Sequence, residues 1–195
     1  MQIHLVRHGE VDNPRDVVYA DIPGFGLSKL GRAQAAAAGD YLANRTVRRI
    51  VTSPLDRAIE TATLIGAGAE LVTERRLTEW GLAMRWRGAL WPKLPLTFPG
   101  ELEAYLADPF DLPFSPESLH QVVDRLTTAI DDWVDGSTGD VVFVSHEDPL
   151  HATHMNLTGS TADVFHRDKP THCSVTTLEH GDGTWVTVSR WAPGG

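Results

Sequence analysis

The feature that most constrains the fold is a run of four consecutive apolar residues at positions 141–144, preceded by Gly139. Such a run is typical of a central strand in a parallel sheet, which helices cover on both faces. Other strand-like runs lie at residues 3–6, 50–52 and 70–73. Segments with helical periodicity separate them, so we expect an α/β fold: a three-layer α/β/α sandwich with a mostly parallel central sheet.

Helix starts are marked in the segments between these strands. Ser28 and Ser53 are candidate N-cap residues. Ser115-Pro116 opens the most regular helical pattern of the chain, which extends over residues 119–134. A further helix is expected to begin near Pro149.

The C-terminal part predicts a β-hairpin. Residues 173–179 and 184–190 alternate in polarity like strands, and the Gly181-Asp182-Gly183 sequence between them is typical of a hairpin turn. Cys173 is the single cysteine of the chain, so an internal disulfide framework is excluded. We expect it to be a small packed residue of a cytoplasmic protein.

One long segment, residues 80–114, shows little periodicity. It contains five prolines and three tryptophans, and only residues 101–107 within it have a helical pattern. Connections of this length inside a domain are usually active-site lids or binding loops. We therefore expect a single domain over residues 1–195, with a lid or cap insertion at about 80–114.

The charge balance restricts the ligands. The chain has 17 basic and 26 acidic residues, which gives a net charge of −9. This balance argues against nucleic acid or an anionic membrane as a partner. A site for an anionic substrate in such a protein must be a local cluster of cationic side chains.

Three polar clusters follow predicted strands. Arg7-His8-Gly9-Glu10 follows the first strand, Ser53-Pro54-Leu55-Asp56-Arg57 the second, and Ser145-His146-Glu147-Asp148 the apolar run. Ligands of open α/β sheets bind at the carboxyl ends of strands, and the first turn of a helix favours anions. Each cluster alone is also compatible with an ordinary loop or a capped helix. Together, two histidines and two arginines can surround one point and form the required cationic site.

These motifs closely resemble the histidine phosphatase superfamily, in its phosphoglycerate mutase-like branch. The resemblance covers positions 1–79 and 139 to about 190. The matching residues, in order, are Arg7-His8-Gly9-Glu10, Leu27-Ser28 with Gly31 and Gln34-Ala35, Ser53-Pro54-Leu55 with Arg57-Ala58 and Thr61-Ala62, Leu77 with Glu79, and Ser145-His146. The conjunction is specific, whereas no single motif is. It implies a metal-independent phosphoric monoester hydrolase without a cofactor, which acts on a small phosphorylated metabolite.

The resemblance also implies the roles of individual residues. His8 is the expected nucleophile, which forms a phosphohistidine, and Glu79 is the expected proton donor to the leaving oxygen. Arg7, Arg57 and His146 are expected to bind the phosphoryl oxygens. These residue types suit the chemistry, because phosphoryl transfer depends on positioning and charge stabilisation, which forked arginine donors supply.

Three further residues are candidate substrate ligands. Asn13 stands near the position of a phosphate-binding asparagine in the family, and Arg85 lies in the expected lid. Glu147 directly follows the second histidine, where the acid-phosphatase branch of the family carries its proton donor. Glu147 is therefore a rival to Glu79, although the sequence setting favours Glu79.

Other functions stay open at this point. A phosphoglycerate mutase of the same family would return the phosphoryl group, but this chain is short and its expected lid has few basic residues to hold a bisphosphate. A protein phosphohistidine or phosphotyrosine phosphatase would differ only in its substrate. A non-catalytic binding relative would usually lack the nucleophile or an arginine. The oligomeric state, monomer or homodimer, does not follow from the sequence.

Overall fold

The computed structural model describes residues 1–66, 68–161, 165–181 and 183–194. Their strands are β1 (Gln2–Arg7), β2 (Val47–Thr52), β3 (Glu70–Thr73), β4 (Asp140–Ser145), β5 (Val175–Gly181) and β6 (Thr184–Trp191). They form a sheet of order β3-β2-β4-β1-β5-β6. The first four strands of that order pair in parallel, and β5 runs antiparallel to both of its neighbours. The predicted mostly parallel sheet is confirmed, with two antiparallel strands at one edge.

Helices cover both faces of this sheet. They are α1 (Lys29–Leu42), α2 (Asp56–Ile65), α3 (Gly81–Arg85), α4 (Leu94–Thr97), α5 (Glu101–Ala107), α6 (Leu119–Val134) and α7 (Glu147–Thr158), with short 3-10 helices at Arg75–Leu77 and Trp91–Lys93. Alternate side chains of β4 point to opposite faces. Val141 and Phe143 pack with α6 and α7, and Val142 and Val144 pack with α1 and α2. All four are fully buried, which explains the apolar run and confirms the three layers.

Only some of the predicted capping residues mark the observed starts of the helices. Ser28 caps α1 as predicted. The prediction that α6 opens at Ser115 is wrong, because Ser118 forms a capping box there and the helix begins at Leu119. The prediction that Ser53 caps α2 is also wrong, since its hydroxyl contacts His146 instead.

The 80–114 segment is more helical than predicted. The helix predicted over residues 101–107 is confirmed as α5, but the prediction that the rest of the segment is not helical is wrong, because it also contains α3, α4 and a 3-10 helix. Pro92 and Pro95 occupy the first turns of two of these short helices, where a missing N–H costs no hydrogen bond. Trp80 and Trp86 are each 2% exposed and pack in the same hydrophobic cluster as α6, which anchors the segment to the core.

The two C-terminal strands pair as predicted, although Asp182 of the predicted turn lies outside the described residues. Cys173 is fully buried just before β5, and burial raises the pKa of its thiol to about 12. It is therefore a packed residue and a poor nucleophile. Of the helices in the described part of the chain, none has both the length and the apolar character to cross a membrane.

Candidate active site

Three adjacent strands end at one edge of the sheet and carry the site. β2, β4 and β1 are neighbours, and Ser53, His146 and His8 directly follow them. Backbone hydrogen bonds hold these positions in register: the His8 N–H donates to the Ser145 carbonyl over 3.0 Å, and the Ser53 N–H donates to the Val144 carbonyl over 2.9 Å. The clusters that follow the predicted strands therefore meet at one place.

His8 lies at the centre of this edge and is 2% exposed. Its Nδ1–H donates to the carbonyl of Gly9 over 2.8 Å, which leaves Nε2 unprotonated. Burial, and then the positive charges of Arg57 and Arg7, lower the pKa of His8 well below its ordinary value. The imidazole is therefore neutral, with an electron pair available on Nε2.

Gly9 is required by the close approach of two backbone segments. A Cβ atom at this position would stand 2.6 Å from the carbonyl oxygen of Gly31 in α1. The Gly9 N–H also donates to Thr61 Oγ1 over 3.0 Å, and that hydroxyl donates to the Arg57 carbonyl over 2.7 Å. The loop after β1 is thus tied to both helices of one layer, which orients His8.

Arg57 links the two histidines. It is 1% exposed in the first turn of α2. Its Nε donates to His8 Nε2 over 3.2 Å, and its Nη2 donates to His146 Nδ1 over 3.1 Å. The guanidinium carbon lies 4.6 Å from the ring centroid of Tyr19, a cation–π contact. Besides two neutral imidazoles and a phenol ring, the guanidinium faces the carboxyl group of Glu79, whose Oε2 lies 3.5 Å from Nη2.

His146 is fully buried, and its ring centroid lies 5.2 Å from that of His8. Because arginine can only donate, the Nδ1 that faces Arg57 accepts, and the Nε2–H donates to Ser53 Oγ over 2.8 Å. Burial, and then the charge of Arg57, lower the pKa of His146 well below its ordinary value. This imidazole is also neutral.

Glu79 stands beside these side chains. Its Oε2 lies 3.5 Å from Arg57 Nη2 and 3.4 Å from His146 Nδ1, and its Oε1 accepts from the Trp80 N–H over 2.9 Å. Burial raises the pKa of this carboxyl, although the charge of Arg57 opposes the shift. A buried carboxyl with a raised pKa is suited to hold a proton and donate it to a reacting group.

Arg7 closes the other side of the site. Its Nη1 donates to the Pro170 carbonyl over 2.9 Å, and its Nη2 donates to His172 Nε2 over 3.1 Å. Nη1 also forms a close ion pair with Glu147. The buried Nε has no hydrogen-bond partner among the described residues. An anionic ligand at Arg7 would therefore compete with the Glu147 carboxylate and could also use the free Nε–H.

A cavity of about 170 Å³ opens at His8. Its polar end is formed by Arg7, His8, Glu79, Glu147 and Asp148. Its other walls are mainly aromatic: Tyr19 from the loop after β1, and Trp80, Trp86, Trp91 and Tyr105 from the 80–114 segment. The opening is thus bordered by a neutral imidazole, the guanidinium of Arg7 and carboxyl groups, and Arg57 contacts His8 and Glu79 without lining the cavity itself.

Two of the predicted substrate ligands do not reach this cavity. Arg85 pairs with Glu101 over 2.9 Å and lies over the ring of Phe98, away from the opening. Asn13 uses its side-chain amide twice on the backbone of Val17, so it shapes the loop that carries Tyr19. The structure therefore leaves both side chains apart from the other predicted site residues.

Three side chains of the site were missed by sequence reasoning. Ser53 was assigned to a helix cap, and Tyr19 lies in an irregular stretch with no periodicity. His172 had no signal of its own, yet its ring centroid lies 5.8 Å from that of His8. Burial, and then the charge of Arg7, lower the pKa of His172 to about 4, so it serves Arg7 as a neutral acceptor. The only sequence signal that could have placed His172 at this site is its position just before Cys173 and β5.

Comparison with known proteins assigns this geometry to a family. The model of the histidine phosphatase superfamily (branch 1) matches residues 3–192, and the chain therefore belongs to that superfamily. The resemblance inferred from the sequence motifs is confirmed.

Individual relatives agree with this assignment. An uncharacterised protein of Mycobacterium tuberculosis is 35% identical over 205 residues, which cover 96% of this chain and 94% of the relative. A glucosyl-3-phosphoglycerate phosphatase of Mycolicibacterium vanbaalenii is 32% identical over 169 residues, which cover 82% and 75%. Among solved structures, a mycobacterial glucosyl-3-phosphoglycerate phosphatase in complex with VO3 superposes with a TM-score of 0.84 at 27% identity, covering 95% and 96%.

Proposed function

We propose that this protein hydrolyses phosphate monoesters in two displacements through a phosphohistidine on His8. In the first, His8 Nε2 attacks phosphorus while the ester oxygen departs with a proton from Glu79. In the second, the Glu79 carboxylate takes a proton from water, which attacks phosphorus and restores free His8. The observation that carries the proposal is the unprotonated Nε2 of His8, which faces the guanidinium of Arg57 at 3.2 Å.

The cationic side chains around His8 stabilise the charge of the phosphoryl group. Arg7 and Arg57 bring two positive charges to the dianionic phosphoryl group, which needs no metal ion when arginines are placed this way. Arg7 releases Glu147, whose side chain is 36% exposed and keeps Lys169 as a partner, with its Oε1 3.7 Å from Lys169 Nζ. The transferring phosphoryl group takes the place of the carboxylate.

His146 contributes a hydrogen bond in this proposal. The Ser53 hydroxyl, 2.8 Å from Nε2, can donate as well as accept. When it donates, the His146 proton lies on Nδ1, which then donates to a phosphoryl oxygen as Arg57 turns toward the substrate. The shared hydroxyl thus allows a change of tautomer without a change of charge.

The geometry favours Glu79 over Glu147 as the acid. Glu79 lies beside Arg57 and His146 with 16% of its side chain exposed, and partial burial raises its pKa. Glu147 pairs with Arg7 and also lies 3.7 Å from Lys169 Nζ. Its two carboxylate oxygens thus face two cations rather than a leaving oxygen.

Hydrolysis is favoured over phosphoglycerate mutase activity. A mutase must hold a second phosphate or carboxylate, and of the described residues that line the cavity, Arg7 is the only permanent cation. The remaining expectations, a single domain over residues 1–195 with a cap at about 80–114 and a cytoplasmic location, stay predictions.

Trapping the intermediate tests the proposed function. We expect rapid quenching with alkaline detergent during turnover of a ³²P-labelled ester to leave a base-stable, acid-labile label on the protein, and His8→Ala to abolish it. His180→Ala is the matched control. His180 is exposed near the C-terminal end of β5, which pairs with the N-terminal end of β1 and is therefore far from the end of the strands that carries the site. A label that survives in His8→Ala would contradict the proposal.

A further inference from the structure

We propose, on the basis of the proposed function, that the substrates are phosphate monoesters whose leaving group carries an apolar ring and no negative charge. The phosphoryl group must sit at His8 between Arg7 and Arg57. The leaving group then extends from Glu79 into the remainder of the cavity, which the aromatic side chains of the 80–114 segment surround. The composition and charge of those walls decide which leaving groups fit.

The walls offer carbon surface and few free hydrogen-bonding groups. The indole N–H of Trp80 donates to the Glu117 carbonyl over 2.8 Å, and that of Trp86 donates to Glu101 Oε2 over 2.8 Å. Because these polar atoms are used inside the protein, the rings present their carbon faces and edges to the cavity. Such surfaces favour apolar and aromatic ligands.

Tyr105 continues this pattern. Its hydroxyl donates to Asp148 Oδ2 over 2.9 Å, and its ring lies edge-on to Trp86 at 6.0 Å between centroids. The edge-to-face arrangement fixes both rings with respect to each other. The pocket is therefore shaped before a substrate arrives, which lowers the entropic cost of binding a rigid ring.

The charges of the cavity exclude an anionic leaving group. Glu147 and Asp148 line it, and Lys169, the cation beside them other than Arg7, already pairs with Asp148 over 2.5 Å. Arg7 is committed to the phosphoryl group. A carboxylate on the leaving group would lie among carboxylates in a partly desolvated site, without a free cation to pair with.

The arginines of the surrounding segment do not supply that cation. Arg85 pairs with Glu101 over 2.9 Å, and Arg87 pairs with Asp21 over 2.8 Å. Neither side chain lines the cavity. The part of the cavity that receives the leaving group is therefore apolar and is bordered by the carboxylates of Glu147 and Asp148, unlike a site built for a phosphoglycerate.

A matched pair of esters tests the charge requirement. Benzyl phosphate and 4-carboxybenzyl phosphate have the same ring and similar leaving oxygens, so they differ chiefly in one negative charge. We expect kcat/KM to be at least about tenfold higher for benzyl phosphate, because at an effective dielectric constant near 20 two like charges as far as about 12 Å apart already repel by the roughly 1.4 kcal/mol that corresponds to tenfold. Equal values, or a higher value for 3-phosphoglycerate, would overturn the inference and leave the proposed function intact.

A variant of the wall tests the ring requirement. Trp91 lines the cavity and is 46% exposed, so Trp91→Ala should fold normally. It should lower kcat/KM for benzyl phosphate several-fold and leave methyl phosphate, which has no ring, almost unchanged. Leu96→Ala is the control, since Leu96 belongs to the same segment, is 82% exposed and lies outside the cavity.

The outcomes separate the two proposals. A benzyl-to-methyl ratio that falls in Trp91→Ala but not in Leu96→Ala supports the aromatic pocket, and an unchanged ratio overturns it. If the protein hydrolyses none of these esters, the proposed function itself fails.

Discussion

Replacement of Glu79 by glutamine should separate the two chemical steps. Glutamine keeps an oxygen that can accept from the Trp80 N–H, which lies 2.9 Å from Glu79 Oε1. It has no proton to give to an alkoxide and no carboxylate to take a proton from water. With benzyl phosphate, whose leaving oxygen needs a proton, both steps should be impaired. With 4-nitrophenyl phosphate, whose leaving group is a stable anion, only the second should be.

The structure suggests a large effect on the alkyl ester. Loss of a general acid costs about 10²–10⁴-fold in rate. Glu79 should lie in the upper part of that range, because burial raises its pKa above the ordinary value and Arg57, at 3.5 Å, stabilises the carboxylate that forms. A loss of about 10³–10⁴-fold corresponds to about 4–5.5 kcal/mol of transition-state stabilisation.

Stopped-flow kinetics with 4-nitrophenyl phosphate provide the assay. Glu79→Gln should release one nitrophenolate per active site in a burst and then turn over slowly, while the phosphoryl label accumulates on His8. Glu147→Gln is the control. It should give no burst and change kcat by less than about tenfold, as expected for loss of a partly exposed ion pair with Arg7.

The pH dependence has a defined sign. The acid form of Glu79 is required for the first step, so kcat for benzyl phosphate should fall as the pH rises through the raised pKa of Glu79. This alkaline limb should be absent in Glu79→Gln. If Glu147→Gln shows the burst and the lost limb while Glu79→Gln behaves like the wild type, the assignment of the proton donor is wrong.

The remaining predictions concern the residues that bind and transfer the phosphoryl group. His8→Ala should lower kcat/KM by at least about 10³-fold with an unchanged circular dichroism spectrum, and substantial residual activity would exclude a histidine nucleophile. Ser53→Ala removes the partner 2.8 Å from His146 Nε2 and should cost roughly tenfold in kcat/KM, which Ser53→Thr should largely restore. His172→Ala removes the acceptor 3.1 Å from Arg7 Nη2 and should raise KM more than it lowers kcat, with rescue by His172→Gln; equal loss in both variants would indicate a merely structural role. Vanadate should inhibit competitively, and EDTA should leave kcat unchanged; loss of activity in EDTA would contradict a metal-independent reaction.

Much of the fold and the positions of the main site residues could be predicted from the sequence, because they depend on local pattern. The apolar run of residues 141–144 is buried on both faces of the sheet, and this requires parallel neighbours and two helical layers. Once the strands are parallel, their carboxyl ends share one edge. Arg7, His8, Arg57 and His146 converge there, because each lies at the end of a strand or in the first helical turn that follows one.

The tertiary structure alone decided how these side chains are partnered and what surrounds them. Ser53 was free to cap a helix locally, but its hydroxyl bonds to His146, 93 positions away in the chain. His172 reaches Arg7 across 165 positions, and Arg85 turns to Glu101 rather than to the cavity. Hydrophobic periodicity reports which face of an element is buried. It carries no information about which distant polar group satisfies a given donor, and those pairings determine the charge and shape of the leaving-group pocket.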